Sequence, residues 1–320
     1  MGASPQFVDL NGDGRKDILT GSFNGAPQWL KNTKDGYSEP ASVLGKTGDL
    51  VMLSKYWDYE TEDWGESERT GTSGLCSSVA AVDWDHDGDM DLLLGDYWDG
   101  GLYLCLNEGS ATEMKFASTN QVVKVGGEPV AFAGGMGAPR VVDWDGDGLF
   151  DIVIGTIRGQ VVLLRNAGSQ GKPDFPEMTT IVEALPGPSG SKQVKRVLSE
   201  DGSPIGPGSS FHIELVDYDA DGDLDLLVGG RSEWLTGPEK ETTEEDLKRV
   251  AELKEQQAEA WTAFKKYKNT AKDDEAAKEI KNTAKYKTLL KKYHSLRKEA
   301  YAMTADPVEL GDFVWLFRQK

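Results

Sequence analysis

Two cysteines and three histidines are all that this chain of 320 residues contains. Two cysteines cannot build a disulfide scaffold; Cys76 and Cys105 stand in one repeat, as a bonded pair or as buried thiols. His86, His212 and His294 are scattered over loop, strand and helix patterns with no nucleophile beside them, which argues against a catalytic triad. No run approaches the roughly 20 apolar residues of a membrane span. The opening MGASPQFVDLNGDG lacks the basic start and apolar stretch of a signal peptide, so an exported protein would have had its signal removed from this chain. Basic residues are also in deficit, with 35 Lys+Arg against 54 Asp+Glu and a net charge of −19. Nucleic acids and anionic membranes both select basic faces, so neither is expected as a partner.

Glycine is abundant at 37 residues, which points to many turns. One pattern recurs four times: FVDLNGDGRKDILTG from Phe7, AVDWDHDGDMDLLLG from Ala81, VVDWDGDGLFDIVIG from Val141 and LVDYDADGDLDLLVG from Leu215. Its leading aspartates are 74, 60 and 74 residues apart, the size of one four-stranded propeller blade. Each copy reads as strand, acidic loop, strand, glycine turn, strand. The second strands, Ile18 to Thr20, Leu92 to Leu94, Ile152 to Ile154 and Leu226 to Val228, are continuous apolar runs suited to burial. Third strands follow at Gln28 to Asn32, Leu102 to Asn107 and Val161 to Asn166, and a weaker outer strand at Gln121 to Val125.

The fourth copy finds its third strand only at DFVWLFRQK from Asp312. The intervening sequence has no glycine between Pro238 and Pro307, and its apolar positions, including Leu247, Val250, Trp261, Phe264, Ile280, Leu289, Tyr293 and Leu296, recur at helical spacing. Thr242 and Thr243 precede an acidic first turn, a helix-start signal, and a break near 269–274 would fold two helices into a hairpin. With 16 Lys+Arg and 13 Asp+Glu over 239–303, the insertion is mildly basic. The expected fold is therefore an all-β propeller of four-stranded antiparallel blades, four visible and five possible, with an inserted α-helical hairpin. The blades occupy 1–238, the hairpin 239–306 and the closing strand 307–320.

Each acidic loop reads D-x-[DN]-x-D-G-x-x-D. The expected metal ligands are Asp9, Asn11, Asp13, Arg15 and Asp17; Asp83, Asp85, Asp87, Asp89 and Asp91; Asp143, Asp145, Asp147, Leu149 and Asp151; and Asp217, Asp219, Asp221, Asp223 and Asp225. Alternate residues of a tight loop turn inward, so positions 1, 3 and 5 converge. Glycine at position 6 permits the reversal, and the aspartate at position 9 closes the shell. The seventh positions are chemically unlike one another, so they are expected to act through the backbone carbonyl. All-oxygen ligands suit Ca2+, about four ions in all. Position 2, which is Leu10, Trp84, Trp144 or Tyr218, reads as packing.

The strand two to three turns and the interblade connections would share the opposite face. That face collects Tyr56, Trp57, Tyr59, Trp64, Tyr97, Trp98, Asp99, Arg158 and Trp234. Aromatic faces beside carboxylates suit sugar rings, and the same side chains would anchor a protein surface or pack against loops.

These repeats resemble the FG-GAP or VCBS repeat family, which includes integrin α-subunit propellers and fungal and bacterial propeller lectins. The matching segments are GMGAPRVVDWDGDGLFDIVIG and GLCSSVAAVDWDHDGDMDLLLG, and the likeness covers 1–238 and 311–320. The resemblance implies a calcium-bound propeller, and it leaves lectins, adhesion modules and enzyme accessory domains as possible functions. The expectation is a non-catalytic, extracellular or periplasmic recognition module for carbohydrate or protein. The rival is the propeller domain of an enzyme acting on sugars or polysaccharides.

Overall fold

A computed structural model describes residues 4–59, 63–67, 69, 72, 74–132, 135, 137–183, 208–235, 241–271, 274–304 and 308–318. The chain divides into two compact units, Met1–Glu233 with Leu310–Lys320, and Trp234–Glu309.

The first unit is a succession of antiparallel sheets formed from consecutive segments of sequence. The first sheet orders Gln6–Val8, Asp17–Thr20, Gln28–Leu30 and Ala41–Ser42 side by side. The second holds Cys76–Val82, Asp91–Asp96, Leu102–Cys105 and Gln121–Val122; the third holds Gly137–Val142, Asp151–Thr156, Val161–Leu164 and Met178–Val182. The fourth has three strands, Ser209–Val216, Asp225–Leu235 and Val308–Phe317. Second strands are longer than the sequence suggests, reaching Asp96, Thr156 and Leu235, and third strands are shorter. Third strands end before Asn32, Asn107 and Asn166, because these asparagines leave the ladder to bind the acidic loops. Lys124–Val125 pairs with Glu128–Pro129 in a separate hairpin rather than extending the outer strand.

Three apolar clusters join neighbouring sheets. Leu19, Val79, Leu92, Leu94 and Phe116 sit in the first; Leu93, Leu102, Ile152, Ile154 and Val162 in the second; Val153, Leu163, Ile213, Leu226 and Val228 in the third. Alternate residues of the second strands in the second and third sheets therefore face opposite neighbours, Leu92 and Leu94 one way and Leu93 the other, Ile152 and Ile154 one way and Val153 the other. This is why the runs are apolar throughout rather than alternating. The glycine ending a second strand makes room for the next sheet: a Cβ on Gly21 would strike the Ser77 carbonyl, and one on Gly95 the Gly137 carbonyl.

First strands of successive sheets are stitched together by side chains. The Gln6 amide both donates to and accepts from the Ala81 backbone, at 3.1 and 2.7 Å. The Ser78 hydroxyl donates to the Gly137 carbonyl. Arg140 is a hub: its Nε pairs with Glu214 at 3.2 Å, and its Nη2 donates to the Pro5 carbonyl at 3.3 Å, linking the third sheet to both the fourth and the first. Burial, then the Arg140 charge, holds the His212 pKa below its ordinary value. Cys76 and Cys105 are free and buried, and burial pushes the Cys76 thiol up to about 12, so neither is poised as a nucleophile.

In the second unit α1 spans Glu244–Lys268, α2 Asp274–Asn282 and α3 Ala284–Thr304. Thr243 closes a capping box with Asp246. Trp261 meets Tyr293 at 4.8 Å and Phe264 meets Tyr286 at 4.9 Å, while Arg249 pairs with Glu299, so α1 and α3 run antiparallel. The returning arm is two helices, not one. Thr283 interrupts it, accepting from the Tyr286 N–H and the Tyr267 hydroxyl through its Oγ1. No helix among the described residues is long and apolar enough to cross a membrane.

Arg140→Ala should lower unfolding stability by about 2 kcal/mol, since it strips two sheets of a nearly buried donor. Denaturant unfolding checks this, and a change below about 0.5 kcal/mol would show that the hub is dispensable.

Candidate functional site

The four acidic loops connect first to second strands and share one backbone design. Position 6 adopts the left-handed region in every copy, with φ of 83° at Gly14, 96° at Gly88, 87° at Gly148 and 98° at Gly222. Position 4 does so too, and there the second and fourth loops place His86 at 61° and Ala220 at 59°. Those two residues bear a backbone cost that glycine avoids at Gly12 and Gly146. The consensus did not single out position 4, although its two glycines were a signal.

The aspartate at position 1 cradles the turn. Asp9 accepts from the N–H groups of Asp13 and Gly14 at 3.0 and 2.7 Å, and Asp217 from Asp221 and Gly222 at 3.1 and 3.2 Å. Asp143 and Asp83 likewise accept from Gly148 and Gly88. The position 5 carboxylates of Asp13, Asp87, Asp147 and Asp221 accept from the N–H of position 7, which is Arg15, Asp89, Leu149 or Asp223.

Position 9 has a distinct role. Asp17, Asp91, Asp151 and Asp225 are all at most 1% exposed. One oxygen of each of the first three accepts, at 2.7 Å, from the N–H of Asn32, Asn107 or Asn166 at the end of the third strand. The other oxygen of Asp91, Asp151 and Asp225 accepts from the N–H of position 2, at 3.0 to 3.1 Å. The side chain thus ties the loop to the sheet. Position 2 packs as Leu10 and Trp84 in the cores, whereas Tyr218 is 59% exposed.

Carboxylate oxygens of Asp83, Asp85 and Asp87, of Asp143, Asp145 and Asp151, and of Asp217, Asp219 and Asp221 lie within 4.8 Å of one another in each group. Among the described residues Asp17 Oδ2, Asp83 Oδ1 and Asp89 Oδ1 are buried without a hydrogen-bond partner. Burial, then the charges of Asp87, Asp85 and Asp83, push Asp89 up to about 6. Burial also pushes Asp91 up to about 7, overcoming the Asn107 and Trp84 N–H groups, with Asp85 and Asp89 adding to the rise. Burial raises Asp151 as well. Asp13 moves the opposite way: against desolvation, Asn11, the Arg15 N–H and the charges of Arg15 and Lys31 hold it low.

At the other end of the second sheet, Trp57, Trp64 and Trp98 meet edge to face, with ring centroids 5.2 and 5.1 Å apart. Trp57 and Trp64 belong to a hairpin of Lys55–Asp58 and Asp63–Glu66, and Trp98 follows the second strand. Phe23 meets Tyr97 at 5.7 Å. Asp96, fully buried, organises this turn: it accepts from the N–H groups of Leu75, Trp98 and Asp99 at 2.7 to 3.1 Å. A Cβ on Gly74 would collide with that carboxylate. Tyr59 and Arg158 are exposed, and Tyr56 is half-buried. Among the described residues no contact joins Arg158 to the tryptophans. The Trp234 side chain lies outside the described residues.

Residues 83–154 match the family model of the FG-GAP-like repeat. No curated protein matches the chain. Similar solved structures include a mutant Tc holotoxin pore of Photorhabdus luminescens, at 13% identity and a TM-score of 0.31; the match covers 71% of this chain and 8% of that one.

Asp151→Ala should destabilise the chelated protein by about 3 kcal/mol, because two buried N–H groups lose their acceptor. Asp145→Ala, removing a more open carboxylate, should stay within about 1 kcal/mol under the same conditions. Equal losses would contradict the division of roles. A second expectation concerns pH. Asp89 and Asp91 titrate higher when folded than unfolded, so their stabilising contribution is present below about pH 4 and lost as pH rises through about 6 to 7. The melting temperature in chelator should fall over that range, and less so in Asp89→Asn. A flat profile would refute it.

Proposed function

We propose that the chain is a non-catalytic, calcium-binding β-propeller module that recognises carbohydrate outside the cytoplasm. The observation that carries the reading is the convergence of aspartate oxygens in three of the loops, with buried, partnerless oxygens at Asp83 and Asp89. Buried carboxylate oxygens without donors are costly unless a cation meets them. The donor set fits: hard oxygen ligands only, in a turn that already positions positions 1, 3 and 5. Ca2+ would be held by Asp83, Asp85, Asp87 and Asp91 in the second loop and by their equivalents elsewhere. It would supply charge neutralisation that lets the loop stay closed.

The propeller reading is supported by sheets following one another in sequence, each first strand stitched to the next, and by Arg140 reaching from the third sheet to the first. The recognition face is assigned to Trp57, Trp64 and Trp98, with Tyr56, Tyr59, Tyr97 and Asp99 around them. Exposed indole faces beside a carboxylate suit a sugar ring. A protein surface would use the same tryptophans as anchors and is the second reading. The acids that could suggest glycoside chemistry are accounted for as cation ligands, so the reading is non-catalytic.

Saturating calcium should raise the melting temperature of the chelated protein by about 5 °C or more. On a glycan array, Trp57→Ala with Trp98→Ala should abolish binding while leaving that calcium response intact. An unchanged melting temperature would remove the calcium reading, and unchanged glycan signals would remove the carbohydrate one.

A further inference from the structure

The four loops are alike in backbone but unlike in the cation each already contains. The residue just before the third-strand asparagine is Lys31 in the first repeat, Leu106 in the second and Arg165 in the third; Arg318 takes this place before Gln319 in the fourth. Three of these four residues point a positive charge into their own loop. Lys31 Nζ lies 3.6 Å from Asp13, Arg165 Nε 3.3 Å from Asp145 and Arg318 Nη1 3.1 Å from Asp219. The first loop holds a second cation, Arg15, at 2.6 Å from Asp13, and carries Asn11 where the others have aspartate. Among the described residues its three carboxylates, Asp9, Asp13 and Asp17, form no group whose oxygens converge within 4.8 Å.

The second loop is the exception. Leu106 packs against the core between the second and third sheets, and among the described residues no lysine or arginine pairs with the loop. Five aspartates remain there, Asp83, Asp85, Asp87, Asp89 and Asp91. Asp89 sits at position 7, 97% buried, with Oδ1 lacking a partner, whereas Asp223 at the same position of the fourth loop is exposed. A buried carboxylate oxygen without donor or counter-ion is an open ligand position.

We propose that the residue preceding the third-strand asparagine grades the calcium affinity of each loop, so that the second loop, left uncompensated by Leu106, fills first and most tightly. Lys31, Arg165 and Arg318 act as tethered counter-cations that an incoming ion must displace or tolerate. The first loop, with two cations and three carboxylates, is then the weakest. This rests on the calcium reading above. A unit charge close to a divalent ion at a partly exposed site shifts affinity by about tenfold, screened by salt.

The test is a calorimetric titration of the chelator-treated full chain with calcium, run beside terbium luminescence sensitised by the tryptophans at position 2, Trp84 and Trp144. The expected wild-type result is one equivalent binding at least tenfold more tightly than the rest, its terbium signal lost in Trp84→Phe and kept in Trp144→Phe. Leu106→Lys should weaken that equivalent about tenfold, and Arg165→Leu should tighten one of the weaker equivalents by a similar factor. Should Leu106→Lys fail to fold by circular dichroism, Arg165→Leu, which alters a surface side chain, decides alone. Binding of calcium to equivalent sites, or no tightening in Arg165→Leu, would overturn the grading while leaving the calcium reading standing. No calcium binding to the wild-type chain would overturn both.

Discussion

A buried carboxylate that accepts at once from the end of a strand and from a loop is the constraint on which the rest of this structure depends. At Asp91 and Asp151 one oxygen takes the N–H of the third-strand asparagine and the other takes the N–H of loop position 2. This bracket ends the third strand, fixes where the loop begins and holds the tight turn against the sheet. The aspartates at positions 1 and 5 then organise the turn through backbone donors, and their remaining oxygens are brought together as a consequence. A site made this way carries a cost: several like charges share a small volume, and burial raises Asp89 and Asp91 well above the ordinary carboxylate range.

The same repeat answers that cost differently in each copy. A lysine or arginine just past the third strand leans over the loop in three of them, while the second leaves its carboxylates facing one another. Sequence repetition has thus preserved the backbone of the loop while its electrostatics diverged. At the opposite end of the second sheet, Asp96 does for the aromatic turn what position 9 does for the acidic one. A single buried carboxylate collects three N–H groups and presents Trp98 outward.

Much of this was legible in the residues. The four-fold pattern located the start of every second strand within a residue, because apolar runs bounded by aspartate and glycine have few other uses in a β-rich chain, but not the ends, which run past Leu94, Ile154 and Val228 to Asp96, Thr156 and Leu235. The glycine of position 6 announced its left-handed backbone. Other features were not legible. That position 9 spends its oxygens on backbone donors depends on where the third strand ends, a tertiary fact. Lys31, Arg165 and Arg318 look like ordinary surface residues until the fold sets them beside a loop read separately from them. Asp89 looked interchangeable with Arg15 and Leu149 because only burial distinguishes it. The break at Thr283 escaped a helical periodicity that continues on either side of it.

The central claim is that the repeated aspartates exist to hold a divalent cation. Anomalous scattering from crystals of the full chain grown with a terbium or calcium salt tests it most directly. The account predicts a strong anomalous peak enclosed by Asp83, Asp85 and Asp87, with weaker peaks at the third and fourth loops. Maps without a peak at the second loop, in crystals that diffract well enough to show ordered aspartate side chains there, would contradict it.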